Sequence, residues 1–132
     1  MIHPAYLAGL IDGDGCITAF LKKIKTSPHG HAVKGRVKIT SKSLKLLEAI
    51  KKEYGGKITN RGDGLYDLSW ENFNEIKSIL TKIIPYLIEK REQASHLQAL
   101  CLLKHSRDFH EKCKLIRKIQ ELNSGRPLPE GG

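Results

Sequence analysis

Hydrophobic and polar residues alternate between residues 33 and 40, which is the pattern of a β-strand with one face on a core and the other in solvent. The solvent face is cationic, with Lys34, Arg36 and Lys38. The segment from about residue 16 to residue 25 alternates in the same way. Its inward set is Ile17, Ala19 and Leu21, and its outward set is Thr18, Phe20 and Lys22. With a turn over residues 27–30, the two segments predict a hairpin whose outer face is basic.

A second hairpin is predicted around the Gly-Asp-Gly of residues 62–64, because glycine readily adopts the positive φ angles of tight turns. Its strands cover about residues 57–61 and 65–70. The outward residues in this register are Lys57, Thr59, Arg61, Asp67 and Ser69. The outer face is therefore predicted to continue across both hairpins.

Helical periodicity fills the remaining segments. The predicted helices are His3 to about Asp12 or Gly13, Ser41 or Ser43 to about Tyr54, Asn72 to Pro85, about Ile88 to Lys104, and a last one from Asp108. This order of elements predicts an α+β fold, a four-stranded antiparallel sheet with helices on one face. Residues 1–124 are predicted to form one domain, and residues 125–132, which are rich in Gly and Pro, a flexible tail.

The chain is basic: its 132 residues include 23 Lys and Arg against 14 Asp and Glu, a net charge of +9. This surplus indicates a polyanionic partner, although a merely basic soluble protein has the same composition. Lysines can also protect an edge strand, but cations repeated on neighbouring strands favour a nucleic-acid face. We expect no membrane association and a cytoplasmic protein, because neither a membrane span nor a signal peptide is recognisable.

Two patterns suggest metal binding on residue type alone. Cys101, His105, His110 and Cys113 carry side chains that suit zinc, but the loop between the histidines is shorter than in zinc fingers. We therefore favour structural cysteines and surface histidines. The acidic residues at 12–14 resemble the start of a calcium loop, but the later loop positions hold Cys, Ile and Lys instead of the required residues.

Residues 7–15 read Leu-Ala-Gly-Leu-Ile-Asp-Gly-Asp-Gly. A glycine inside a helix costs about 1 kcal/mol relative to alanine. Gly9 and Gly13 are four residues apart and share a helix face, so we expect a second backbone to pack closely against that face. Asp14 would then lie at the end of a tightly packed helix pair and point into the groove below it.

This stretch resembles the signature of the LAGLIDADG homing endonucleases at every position but one, and Gly13 is a frequent variant there. The order of helices and strands resembles that family through about Asn123. The resemblance implies a homodimer, because the chain holds one signature, with Gly9, Gly13 and Asp12 at the contact. It further implies a homing endonuclease that promotes intron mobility by cutting both strands of a long, nearly palindromic DNA target. The protein would be organellar if an organellar intron encodes it.

The resemblance also implies site residues. Asp14 would bind the catalytic metal with the carbonyl of Gly13, and Asp12 would support the helix end. The metal would be Mg²⁺ or Mn²⁺, and Ca²⁺ could occupy the site without supporting cleavage. Lys90, with Arg91 as the alternative, would stabilise phosphate charge. Lys45 and Ser41 would lie near the attacking water, and Ser41 departs from the Gln of well-known dimeric members.

The outward strand residues are the candidates for DNA contact. Arg36, Lys38 and Arg61 suit guanine or phosphate, and Lys22 and Lys34 suit phosphate. Thr18, Thr59, Asp67 and Ser69 would adjust base choice. Phe20 would touch a thymine methyl group, unless the strand register is off by one. An RNA maturase that binds intron RNA, or a DNA-binding regulator without catalysis, remains an alternative, and the presence of Asp14 favours the nuclease over the regulator.

Overall fold

The computed structural model of the chain describes residues 1–26 and 30–125. Its elements are α1 (Pro4–Asp14), β1 (Gly15–Lys23), β2 (His31–Ser41), α2 (Leu44–Tyr54), β3 (Lys57–Asn60), β4 (Tyr66–Trp70), α3 (Phe73–Ile83), a 3₁₀ turn (Ile84–Tyr86), α4 (Arg91–Leu102) and α5 (Phe109–Ser124). The four strands form one antiparallel sheet in the order β1-β2-β4-β3. The predicted α+β fold and its order of elements are therefore confirmed.

The local signals for helix ends act as predicted. Ser43, not Ser41, caps α2 by accepting a hydrogen bond from the amide of Leu46, and Gly55 ends that helix with a φ of +76°. Asp108 caps α5 through the amide of Glu111. Each cap satisfies a helix-end group that would otherwise lack a partner.

The core lies between the sheet and the helices. Its largest fully buried side chains include Trp70, Leu7, Ile11 and Ile17. The indole Nε1 of Trp70 donates to the carbonyl of Tyr54, which joins β4 to the end of α2. In the part of the chain that the structure describes, no helix has both the length and the hydrophobicity needed to cross a membrane.

Helix α5 covers the edge of the sheet that β1 forms. The amide of Asn123 donates to the carbonyl of Ile17 at 2.9 Å, and that of Gln120 donates to the carbonyl of Ala19 at 3.3 Å. These bonds occupy carbonyls that face away from β2, and they protect an edge that would otherwise offer free hydrogen-bonding groups. They also hold β1 in place directly after the end of α1.

Three expectations need correction. Leu21, predicted to point inward, is 38% exposed because β1 extends beyond the core. Ser69 is on the outer face, as predicted, but it is only 8% exposed and not an open side chain available for base contact, since it lies between its cross-strand partners Lys38 and Lys57. The helix predicted from Ile88 begins at Arg91, because the preceding backbone is bonded elsewhere, as described below. The predicted turn at Ser27–Gly30 lies outside the described residues except for Gly30, and the predicted tail does so except for Gly125.

Candidate functional site

Asp14 is the last residue of α1 and is exposed. The chain passes directly from this helix into β1 at Gly15. A Cβ atom at Gly15 would lie 2.7 Å from both the Cα atom of Ile11 and the carbonyl oxygen of Lys38. Only glycine fits so close to two segments of backbone, because any other residue would place its Cβ atom there. This contact fixes the junction and presents the Asp14 carboxylate at the sheet end where β1 begins.

Asp12 connects this helix end to the start of α4. Its two carboxylate oxygens accept hydrogen bonds from the backbone amides of Ile88, at 2.8 Å, and Lys90, at 3.0 Å. In return, the Nζ atom of Lys90 donates to the carbonyl oxygen of Asp12 at 2.6 Å. The carbonyl end of a helix carries partial negative charge, which favours an ammonium group there. Lys90 is therefore held at the end of α1 that carries Asp14.

The other candidate residues lie around the same end of the sheet or near it. The register pairs Gly15 with Ile39, so Ser41, two residues further along β2, lies toward the end of α1. The Ser41 hydroxyl oxygen accepts a hydrogen bond from the amide of Ser43 at 3.0 Å. Lys45 is exposed in the first turn of α2. Arg91 donates to the carbonyl of Pro85 at 3.1 Å, which directs its guanidinium toward the 3₁₀ turn.

One described chain does not by itself supply a full set of metal ligands. Across residues 1–26 and 30–125, no group of three or more His, Cys, Asp or Glu side chains is placed to hold a metal ion. The cysteine and histidine set near residue 105 is therefore not assembled as a zinc site, and its member Cys101 is buried. Burial raises the pKa of the Cys101 thiol to about 11, which disfavours the thiolate that metal binding needs. The Asp14 carboxylate and the Gly13 carbonyl suit Mg²⁺, provided that further ligands come from outside the chain.

The outer face of the sheet collects most of the predicted DNA-contacting side chains. Cross-strand pairs place Thr18 opposite Arg36, Phe20 opposite Lys34, and Lys22 opposite Ala32. Lys38 continues this face toward β4 and β3, where Thr59 and Asp67 are paired. The outward position of Phe20 agrees with the predicted register.

Several of these side chains already have partners within the chain. Asp67 accepts a hydrogen bond from the Thr40 hydroxyl at 2.6 Å. Arg61, beyond the end of β3, lies 3.8 Å from Asp63. The Nε atom of Arg36 donates to Glu71 at 2.7 Å, and its guanidinium lies over the Phe20 ring at 5.3 Å from the centroid. The outer face of the sheet therefore carries both hydrogen-bond donors and hydrogen-bond acceptors, some of them paired with each other.

A strip along the outward side of α1 carries no side chain larger than a methyl group. Ala5, Gly9 and Gly13, spaced four apart, are all exposed, and a Cβ atom added to either glycine would meet nothing within 4 Å. Two large apolar side chains are exposed as well: Tyr6, on α1, is 53% exposed, and Ile88, whose amide is bonded to Asp12, is 86% exposed. A nearly all-apolar helix with one open face indicates an unpartnered contact surface.

A family model described as LAGLIDADG endonuclease matches residues 7–105. The chain belongs to the LAGLIDADG endonuclease family. It is 29% identical over 133 residues to DNA endonuclease I-CvuI of Chlorella vulgaris, an alignment that covers 92% of this chain and 80% of that protein. It is 30% identical over 129 residues to DNA endonuclease I-CreI of Chlamydomonas reinhardtii, covering 92% of this chain and 78% of that protein.

A solved structure of a LAGLIDADG enzyme has the same fold. I-CvuI, in complex with the I-CreI target in the presence of Mg²⁺ and with the DNA not cleaved, matches with a TM-score of 0.82 at 22% identity. The match covers 98% of this chain and 85% of that one. The whole described domain, including the C-terminal helices, therefore has the architecture of this LAGLIDADG enzyme.

The family resemblance pointed to Asp14 and Lys90, but neither Glu71 on the outer face of the sheet nor the backbone partners of Asp12 were predicted from the sequence. Glu71 was missed because it follows β4 in what looked like a loop. The pairing of Val37 with Trp70 places it beside Arg36, and only the register of β2 and β4 reveals this. The partners of Asp12 were also missed, since they lie 76 and 78 residues further along the chain.

Proposed function

We propose that this chain is a site-specific, Mg²⁺-dependent homing endonuclease that acts as a homodimer and cuts both strands of a long, nearly palindromic DNA target. The observation that carries the proposal is the arrangement of charged groups at the end of α1. There an exposed carboxylate, Asp14, ends the helix that carries the family signature, and the ammonium group of Lys90 donates to the backbone carbonyl of Asp12, two residues earlier.

Asp14 and Gly13 are the residues that would hold the divalent ion. The chain offers one such carboxylate, so a second Asp14 from a partner chain and the phosphates of the DNA would complete the ligand set. A bound Mg²⁺ supplies charge stabilisation at the attacked phosphate and activates water at neutral pH. Lys90 adds positive charge beside the phosphate, and Ser41 offers a hydroxyl to the surrounding water network.

The open face of α1 supports the homodimer. In one chain, the two glycines weaken the helix and gain no internal contact in return. In a dimer with two-fold symmetry, the same strip on both subunits forms the contact, and the small residues let the two backbones approach closely. The two Asp14 carboxylates then meet at one groove, one for each DNA strand.

The outer face of the sheet supports duplex DNA as the substrate. Its exposed lysines suit phosphate oxygens, whereas its hydroxyl, carboxylate and guanidinium groups suit base edges in the major groove. The net charge of +9 favours association with a polyanion. A dimer doubles this face, which fits a long target with two related half-sites.

The test begins with selection of a bound DNA sequence from a pool of randomised duplexes, with Ca²⁺ present. The selected duplex is then incubated with the protein and Mg²⁺. We expect cleavage of both strands by the wild type, and no cleavage by Asp14→Asn although that variant still binds. Thr81→Ala, an exposed change in α3, serves as the control and should cut normally. A wild type that binds the selected DNA but cuts neither strand with Mg²⁺ or Mn²⁺ would refute the nuclease.

A further inference from the structure

Phe20, Arg36 and Glu71 form a cluster on the outer face of the sheet. Glu71 accepts a hydrogen bond from the Nε atom of Arg36 at 2.7 Å, and the guanidinium carbon lies 5.3 Å from the centroid of the Phe20 ring. Arg36 is on β2, an inner strand, so it has neighbours on both sides. One neighbour accepts a hydrogen bond from the Nε atom, and the other places an aromatic ring beneath the guanidinium carbon.

We propose that this cluster is a base-reading unit in which Arg36 recognises one guanine in each half-site of the DNA target, with Glu71 and Phe20 as positioning residues. The inference rests on the proposed function and names a specificity-determining element of it. A guanidinium has five N–H donors, and the bond to Glu71 engages the one on Nε. The other four are on the two terminal nitrogens, which form the edge that pairs with O6 and N7 of guanine.

Glu71 argues for a base contact and against a phosphate contact. A carboxylate 2.7 Å from the guanidinium lowers the local positive potential and repels a phosphate group. A base edge carries no net charge, so the carboxylate does not oppose it. What a base contact needs is a fixed direction for the guanidinium plane, and a hydrogen bond to Nε provides that direction.

Stability does not explain the cluster. The side chains of Arg36 and Glu71 are 36% and 54% exposed, and ion pairs at such sites contribute little to folding. A partly exposed aromatic ring on a polar face is also unfavourable unless it contacts something. Phe20 lies diagonally across the strand pair from Arg36, within reach of a long side chain, and the guanidinium carbon lies over its ring, a contact that limits the movement of the guanidinium.

Binding then needs less ordering of the arginine, because its orientation is set before DNA arrives. Lys34 and Lys38, on the same strand and the same face, provide the contrast. A lysine side chain is a flexible point charge, which suits phosphate, whereas a planar guanidinium held on two sides suits a directional contact.

The experiment measures base preference at every target position by sequencing the duplexes that each variant selects from a randomised pool in Ca²⁺. We expect the wild type to prefer guanine at one position of each half-site by about 5- to 150-fold, the range for a good bidentate contact. Arg36→Ala should remove the preference at that position alone. Arg36→Gln should change it to adenine, because an amide pairs with N6 and N7 of adenine. Thermal unfolding of each variant confirms that it is folded.

The positioning role of Glu71 has its own variants. Glu71→Ala should reduce the guanine preference by about 2- to 10-fold, the effect of freeing one arginine side chain. Glu71→Gln should keep most of the preference, because its amide oxygen still accepts from Nε. Glu75→Ala removes the same charge from the exposed first turn of α3, and Lys34→Ala removes a predicted phosphate contact. Neither control should change base preference at the Arg36 position, and Lys34→Ala should weaken all sequences equally.

Three results would overturn the proposal. The first is an Arg36→Ala variant that binds every sequence more weakly by the same factor, as the loss of a phosphate contact does. The second is an equal effect of Glu71→Gln and Glu71→Ala, which would mean that Glu71 acts through its charge and not through the hydrogen bond to Nε. The third is a target, selected by the wild type, that contains no guanine whose preference depends on Arg36. After that third result, the proposed nuclease function still holds if the selected DNA is cleaved. Conversely, a guanine preference without cleavage refutes the nuclease function but supports base reading by Arg36.

Discussion

The substitution Gly9→Ala has opposite expected effects in a monomer and in a dimer. Gly9 lies inside α1, and a Cβ atom there would meet nothing within 4 Å in the single chain. Alanine favours the helix over glycine by about 1 kcal/mol. The isolated chain should therefore gain about 1 kcal/mol in its free energy of unfolding.

In a dimer joined along α1, each added methyl group enters a tight contact between backbones. Forcing an extra methyl into a packed site costs about 1 to 3 kcal/mol, and two-fold symmetry makes this happen twice. The gain in helix propensity is present in both the monomer and the dimer, so it cancels in the dissociation constant. We expect the dimer to be weakened by about 2 to 6 kcal/mol, which raises the dissociation constant at least about 30-fold.

The assay is sedimentation or light scattering over a range of protein concentrations, combined with urea unfolding of the dilute protein. The Gly9→Ala variant should dissociate at concentrations where the wild type is dimeric, yet unfold at a higher urea concentration once both are monomeric. Ala49→Gly, an exposed change inside α2, is the matched control. It should lower stability by about 1 kcal/mol without altering dissociation. A Gly9→Ala protein that is more stable and equally dimeric would refute the α1 contact.

Three further predictions concern the single chain. Asp12→Asn replaces one accepting oxygen by an NH₂ group that cannot accept from a backbone amide. We expect the free energy of unfolding in urea to fall by about 1 to 3 kcal/mol, with Asp63→Asn as an exposed control. Gly35→Ala brings a Cβ atom to 2.8 Å from Leu97 Cδ1, so a loss of about 1 to 3 kcal/mol is expected in the same assay. Burial raises the pKa of Cys101 from 9.0 to about 11, so the unfolded chain ionises this thiol before the native one does. Its stabilising contribution is complete below pH 9.0 and is lost as the pH rises to about 11, and wild-type stability should fall more steeply over that range than that of Cys101→Ala.

The elements that could be predicted from sequence are those whose signals are local. The alternation around Val37 requires only that one face of a strand be buried, and the structure has that strand as β2. The caps at Ser43 and Asp108 act within three residues of their own position. Such signals do not depend on how distant segments meet.

The errors arise where a residue's environment depends on distant neighbours. Ile88 looked helical, but its amide is bonded to Asp12, so α4 begins three residues later. Ser69 has the correct alternation for the outer face, yet flanking strands on both sides leave it 8% exposed. Glu71 contacts a residue 35 positions away, and no local pattern indicates such a contact. Lateral packing and long-range pairing cannot be read from periodicity alone.

The signature, residues 7–15, is recognisable because several of its positions are subject to different physical constraints. Leu7 and Ile11 are fully buried, Asp12 bonds two distant amides, and Gly15 has two backbones within 2.8 Å of its missing Cβ. A substitution at any of these disturbs the fold whatever DNA is bound. The outward strand positions carry no such constraint, because an exposed side chain on a paired strand can change with little effect on folding. The same physics therefore makes the family readable from nine residues and leaves the target sequence to be determined by experiment.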